Sequence, residues 1–239
     1  MAGTAVVAMR CADEREQVPA VADGVRALLS GGRGVVLVSP ASLSDAVTLA
    51  IGTTRAGRRA VPVVAHILVD PADPAFVHLD GAFDPAPLGI LETEAICSLV
   101  GSGFPVVVTG HVPVMPRGDT YQGVTAILDE AAVAQRLAGD LGAPVLIFVV
   151  DETDSPGAGE IDMVEAEGRL AAEPALAPEL RAAVRFLRAG GQLAVITTAL
   201  HVADALDGTH DPDGAPTLRI HRQLPRVRSG APALAAGWC

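Results

Sequence analysis

The chain has 239 residues, of which 50% are apolar and 3% are aromatic, so a sizeable core must be built from Val, Leu, Ile and Ala. A net charge of −11 disfavours binding to nucleic acid and to anionic membranes. The longest apolar runs, such as 143–150, are too short to span a bilayer, and no basic start precedes an apolar stretch, so a cytoplasmic location is predicted.

Strand-like and helix-like runs alternate along the first part of the chain. Continuous apolar runs predict buried strands, whereas apolar residues at helical spacing predict helices. In chain order, the predicted elements are a strand over 4–9, a helix over 16–30, a strand over 35–39, a helix over 43–51, a strand over 61–69, a long Pro- and Gly-rich loop over 72–89 and a helix over 91–99.

The same alternation continues towards the C-terminus. The predicted elements are a strand over 104–110, a polar loop, a helix over 131–141, a strand over 144–151, an acidic turn-rich segment over 152–177, a helix over 178–189, a strand over 193–198, a helix over 199–206 and an edge strand over 217–220. Alternating units of this kind predict an α/β fold with a mostly parallel sheet covered by helices on both faces. One domain is predicted over 1–220, followed by a C-terminal tail over 221–239.

The basic residues and the cysteines narrow the possible chemistry. All 17 basic residues are arginine, so no mechanism that needs a lysine ammonium is available. The cysteines have neither disulfide nor metal spacing, and the run DGTHDPDG (207–214) lacks the spacing of a calcium loop, so no metal site is predicted. An arginine-rich stretch over 218–230 is interpreted either as a solvated tail or as a contact for an anion or partner. The cysteines are Cys11, Cys97 and Cys239, and the arginines are Arg219, Arg222, Arg226 and Arg228.

Four segments resemble the carbamate kinases of the amino acid kinase superfamily. The most specific is VDPADPAF (69–76), which reproduces a string typical of that family. The others are GVTAILDEAAVAQRLAGDLGAPVLIFVVDETD (123–154), PELRAAVRFLRAGG (178–191) with its following strand, and GAPTLRI (214–220). The resemblance implies a three-layer αβα sandwich, a homodimer, and the interconversion of ATP plus carbamate with ADP plus carbamoyl phosphate.

The glycine turns of the family are largely absent from this chain. Such turns matter for phosphoryl transfer because their bare backbone amides approach the phosphate oxygens. The family's Gly-Gly-Asn turn aligns with Arg10, Cys11 and Ala12, and its His-Gly-Asn-Gly-Pro turn aligns with PASLS (40–44). Of the glycine run after the fourth strand, only Gly110 matches. The stretch between the second and third strands and residues 77–89 are also shorter than in the family, so the protruding lid subdomain is predicted to be missing.

A lysine that the family carries at the late helix is replaced by Glu179. A pair of unit charges about 4 Å apart is worth about 4 kcal/mol at an effective dielectric near 20, so reversing one charge could cost up to roughly 8 kcal/mol. Half of that would slow the reaction on the order of a thousandfold. The structural alternative is that Pro178 and Glu179 form a favourable first helical turn, with the carboxylate filling the place of an anion.

Five other residues are candidates for a nucleotide or anion site. Arg10 and Arg117 are candidate anion binders, because arginine can bind phosphate in a bidentate manner. Gly110, Asp129 and Asp151 match family positions on the nucleotide side. The two aspartates are interpreted either as ligands of the magnesium of ATP or as helix-cap and loop-end carboxylates.

Two functions are compatible with these features. The leading hypothesis is a divergent carbamate kinase-like protein that is deficient in phosphotransfer and acts as a binding, regulatory or assembly subunit. The alternative is an active enzyme of carbamate, carbamoyl phosphate or related small-acid metabolism with an arginine-based phosphate site. A homodimer or a hetero-oligomer with a metabolic enzyme is expected, a small anionic ligand is possible, and no cofactor is certain, although ATP with magnesium would fit the alternative.

Overall fold

A computed structural model describes most of the chain. The described residues are 2–10, 14–40, 42–54, 57–69, 89–124, 129–154, 157–170, 172–173, 176–206 and 216–222. The strands are β1 Ala2–Met9, β2 Arg33–Val38, β3 Val61–Leu68, β4 Gly89–Ile90, β5 Val106–Arg117, β6 Thr120–Gly123, β7 Val145–Val150, β8 Gly159–Asp162, β9 Leu193–Thr198 and β10 Leu218–His221. The helices are α1 Glu14–Ser30, α2 Ser44–Ile51, α3 Thr93–Gly101, α4 Glu130–Asp140, α5 Met163–Arg169 and α6 Ala177–Arg188.

The strands form one mixed sheet in the order β4-β3-β5-β2-β1-β7-β9-β10-β8, and β6 pairs with β5. The six central strands β3, β5, β2, β1, β7 and β9 run parallel. β10 is antiparallel to β9, and β8 runs parallel to β10. The mostly parallel sheet predicted from the alternating pattern is therefore confirmed.

Helices cover both faces of the sheet, as the period-2 alternation of side chains along β1 shows. Val6 and Ala8 belong to a core shared with α3, α4, α5 and α6. Ala5, Val7 and Met9 belong to a second core shared with α1 and α2. The α/β sandwich with three layers is confirmed, and its core consists mainly of small and medium aliphatic side chains.

Two segments predicted as loops contain regular structure. β5 continues far beyond 110 and folds back onto β6 as a hairpin, with Arg117 pairing with Thr120. The acidic segment 152–177 contains β8 and α5, and the Asp162 side chain caps α5 by accepting a hydrogen bond from the backbone N–H of Glu165 at 2.9 Å. The strands β6 and β8 were missed because each has only four residues and little buried surface. β6 is exposed throughout, and β8 buries only Ile161.

The strand predicted over 217–220 is confirmed as β10, but two other predictions for this part of the chain were wrong. The helix predicted over 199–206 is a single 3-10 turn over Ala199–His201, followed by turns. After this turn, the Arg219 guanidinium donates hydrogen bonds to the backbone carbonyls of Asp204 and Ala205, each at 3.1 Å. Arg219 is 8% exposed, so it belongs to the fold and not to a solvated tail. β10 lies between β9 and β8, so it is not an edge strand.

Several predictions concern residues outside the described ranges. Three of them are single residues: Cys11, Ala12 and Cys239. The others are the predicted loop over 72–89 except for residue 89, the VDPADPAF string except for Val69, the run 207–214, and the tail from residue 223 onwards. The missing lid and the division into 1–220 and 221–239 therefore stay predictions. Cys97 is exposed and unpaired on α3. Among the helices of the described ranges, none combines the length and the hydropathy needed to cross a bilayer.

Candidate functional site

The parallel strands bring their carboxyl ends to one edge of the sheet, which is where ligands bind in open α/β folds. We call this the carboxyl edge. Arg10 follows β1 and Asp151 follows β7 at this edge, while α4 and α6 begin there. The sequence candidates from distant parts of the chain are thus placed by topology, since each follows a buried strand or opens a helix.

Arg10 and Glu179 form an ion pair at the carboxyl edge. The Arg10 Nε lies 2.6 Å from Glu179 Oε1, and its Nη2 lies 3.5 Å from Asp154 Oδ2. The Glu179 side chain is 1% exposed, whereas that of Arg10 is 36% exposed. Two residues predicted separately are therefore partners, and a second carboxylate, Asp154, was missed. Its signal was the acidic run after the fifth predicted strand.

Burial is the main influence on the Glu179 carboxyl. It raises the pKa of this group above the ordinary value of 4.5, because the charged form is desolvated. The Arg10 guanidinium opposes this rise, as does the nearby backbone N–H of Glu179 itself. The carboxylates of Asp129 and Asp154 raise the pKa further. Among the described residues, this group consists of one guanidinium and three carboxylates, counting Glu179 itself.

The two aspartates proposed as nucleotide-side residues have structural partners. Asp129 is the N-cap residue of α4, and its side chain accepts a hydrogen bond from the backbone N–H of Ala131 at 2.8 Å. This is the helix-cap interpretation. Asp151 accepts a hydrogen bond from Gln17 Nε2 at 2.9 Å. Both carboxylates are therefore fixed in orientation by neighbouring protein groups.

A cavity of about 510 Å³ opens beside Asp151 at the carboxyl edge. Its lining includes the carboxylates of Glu16, Asp151 and Glu152, and Gln17 Oε1 is buried without a hydrogen-bond partner among the described residues. Among the described residues that line the cavity, no side chain is a cation, so this set does not fit a triphosphate. Within the described part of the chain, no three His, Cys, Asp or Glu side chains are grouped so that they could hold a metal ion.

Gly110 and Arg117 are not brought to the Arg10–Glu179 pair by any described contact. Gly110 lies within β5 opposite Val64, and a Cβ at this position would meet no atom within 4 Å. The fold therefore does not require glycine here. Arg117 lies on the exposed hairpin, where it donates a hydrogen bond to Gln122 at 2.8 Å.

His111 is a residue of interest that sequence reasoning passed over. Burial lowers its pKa from 6.5 to about 4, and its Nε2 has no hydrogen-bond partner in the described ranges. It follows Gly110 directly, in the run that resembles the family's glycines. The available signal was therefore the replacement of a glycine by a bulky titratable side chain.

Known proteins share both the sequence features and this fold. No protein-family model matches the chain. Carbamate kinase from Halobacterium salinarum is 36% identical over 139 residues, which cover 52% of this chain and 45% of that protein. Carbamate kinase from Pyrococcus horikoshii is 30% identical over 143 residues, covering 52% and 44%. The structure of Giardia carbamate kinase matches 93% of this chain and 100% of that chain, with a TM-score of 0.77 and 22% identity.

The chain is carbamate kinase-like. Its fold is that of the amino acid kinase superfamily, and the N-acetylglutamate synthase of Neisseria gonorrhoeae shares it with a TM-score of 0.65 and 16% identity. This carbamate kinase-like chain spans about half the length of the curated relatives that it matches. The resemblance inferred from the sequence motifs is thereby confirmed.

Proposed function

We propose that this carbamate kinase-like protein is deficient in phosphotransfer between ATP and carbamoyl phosphate, and acts as a binding, regulatory or assembly subunit. The observation that carries the proposal is the ion pair between Arg10 and the buried Glu179. A phosphoryl group in transit needs preorganised positive charge around it. At this edge the guanidinium already faces two carboxylates.

The alternative enzyme would need Arg10 to bind phosphate. To do so, the guanidinium would have to leave Glu179, and the carboxylate would then be desolvated without a cation. Asp154 and Asp129 would add repulsion, because both act on the same carboxyl group. These contacts favour the deficient protein over an enzyme with an arginine-based phosphate site.

A coupled assay tests the proposal directly. The purified chain is supplied with ADP, magnesium and carbamoyl phosphate, and ATP formation is followed, with the Pyrococcus horikoshii carbamate kinase as the positive control. We expect no ATP above background. The Arg10→Ala variant is assayed in parallel, because contaminating kinase would give a signal that this variant does not change.

Calorimetry with ATP, ADP and carbamoyl phosphate separates a subunit that still binds these ligands from one that does not. ATP formation by the wild-type chain that disappears in Arg10→Ala would contradict the proposal. Light scattering, alone and with candidate metabolic enzymes, tests the homodimer and the hetero-oligomer. Both assemblies stay predictions, as does the cytoplasmic location.

A further inference from the structure

A second cavity lies at the opposite edge of the sheet, where the parallel strands begin. We call this the amino edge. The cavity has a volume of about 590 Å³ and is bounded by the end of α1, the start of β2 and the end of α3. The sequence motifs do not point to it, because its lining residues come from the ends of several separate elements and the turns that follow them.

The charge of this second cavity is positive. Arg33 lines it, is only partly exposed, and has no ion-pair or hydrogen-bond partner among the residues that the structure describes. Arg26 also lines it, but its charge is balanced by Asp23. Arg58 lies beside the cavity with its guanidinium carbon 4.9 Å from the centre of the Phe104 ring. Unbalanced positive charge is notable in a chain whose net charge is −11.

The cavity also has an apolar wall and a polar one. Leu29, Val100 and Phe104 supply the apolar surface. Thr53 and Thr54 supply hydroxyl groups, and Thr54 Oγ1 accepts a hydrogen bond from the backbone N–H of Arg58 at 3.2 Å. A mostly apolar cleft with a few convergent polar groups is the usual form of a small-molecule site.

We propose that the cavity at the amino edge binds a small organic anion in which a carboxylate or phosphate is attached to an aromatic or aliphatic group. The anionic group contacts Arg33, whose guanidinium forms charge-assisted hydrogen bonds with oxyanions. The apolar group packs against Val100 and Phe104. This inference does not rest on the proposed loss of phosphotransfer, since it concerns the other edge of the sheet.

Titration with phenyl phosphate tests the site, because this probe carries both parts of the proposed ligand. Binding is measured by calorimetry on the full chain, in comparison with inorganic phosphate and with benzyl alcohol. Phenyl phosphate should bind more tightly than either, since inorganic phosphate lacks the apolar group and benzyl alcohol lacks the anionic group. Raising the salt concentration should weaken the binding, because salt screens the attraction to Arg33.

Three variants locate the binding. Arg33→Gln should weaken phenyl phosphate binding on the order of tenfold or more, which is the size of a lost charge-assisted hydrogen bond. Ala27→Phe, which adds a ring at the cavity lining, should abolish binding without changing the charge. Arg185→Gln is the matched control, because Arg185 is exposed on α6 and its replacement changes the net charge by the same amount.

The results either support or overturn the site. Loss of binding in Arg33→Gln and Ala27→Phe, with retention in Arg185→Gln, supports it. Equal weakening in Arg33→Gln and Arg185→Gln overturns it, because the effect would then reflect net charge alone. Absence of binding by the wild-type chain up to about 10 mM phenyl phosphate also overturns it. Thermal unfolding of each variant confirms that it is folded before titration.

Discussion

The carboxyl and amino edges of the same sheet carry opposite local charge. At the carboxyl edge, Arg10 is neutralised by Glu179 and Asp154, and the neighbouring cavity of about 510 Å³ is lined with carboxylates. At the amino edge, a cavity of about 590 Å³ is lined by Arg33, which has no described partner. The comparison shows that the fold determines where the cavities lie. A few residues at strand ends and turns determine whether each cavity can bind an anion or a cation.

The largest expected effect concerns the ion pair at the carboxyl edge. Arg10→Ala leaves the buried Glu179 without its cation, so the free energy of unfolding should fall by about 3 kcal/mol at neutral pH. Denaturant unfolding measures the change. Arg117→Ala is the matched control and should cost less than about 0.5 kcal/mol, because that side chain is exposed. Equal costs for the two variants would show that the pair does not stabilise the carboxyl edge.

His111 should make the protein less stable in acid. Its pKa is lowered from 6.5 to about 4, so the unfolded chain binds the proton more readily than the folded one between these values. Stability is therefore lost as the pH falls from 6.5 towards 4, by about 3 kcal/mol. His111→Gln should remove this part of the pH dependence in denaturant titrations, whereas His201→Gln controls for the loss of an imidazole. An unchanged acid limb in His111→Gln would contradict the burial argument.

The cap of α4 should contribute about 1 kcal/mol. Asp129→Ala removes the acceptor for the Ala131 N–H, so unfolding should become easier by about that amount. Asp129→Asn keeps a capping oxygen while removing the charge, so its stability should stay near that of the wild type. If both variants lose the same stability, the carboxylate matters for its charge and not as a cap.

The smallest expected effect is a pH trend in Glu179→Gln. Because burial raises the pKa of Glu179, the folded chain binds the proton more readily, and this contribution to stability is lost as the pH rises from 4.5 through the raised pKa. The stability of the glutamine variant relative to the wild type should therefore increase as the pH rises. Arg10 offsets part of the trend. A stability difference between variant and wild type that does not change with pH would mean that Arg10 compensates fully for the burial. Glu94→Gln is the control for the loss of a carboxylate, because Glu94 is exposed on α3.

The central strands were predictable because they are continuous apolar runs buried on both faces. β1, β2, β3, β7 and β9 all lie within a few residues of their predicted positions. The hairpin, β8 and the turn at 199–201 were not predictable, because short or exposed elements depend on partners that are distant in sequence. Arg219 is the clearest case, since it donates hydrogen bonds to the carbonyls of Asp204 and Ala205 from a strand 14 and 15 residues further along the chain.

The site was predictable only in part. Arg10 and Glu179 were identified as unusual because the family has a glycine turn and a lysine at these positions. Their pairing could not be predicted, because it depends on how the strands are ordered in the sheet. Asp154 and His111 were passed over because neither forms a motif by itself. The cavity at the amino edge gave no signal in the sequence, since its residues come from the ends of elements that are separate in sequence.

The position of β10 has a consequence for biosynthesis and proteolysis. β8 pairs with β10 and with no other strand of the described ranges, although β8 is made much earlier in translation. The nascent chain can therefore complete this side of the sheet only after residue 221 has left the ribosome tunnel. Trimming of the chain to a point before 218 would leave β8 unattached, so protease sensitivity near 159–162 reports whether the final strand is in place.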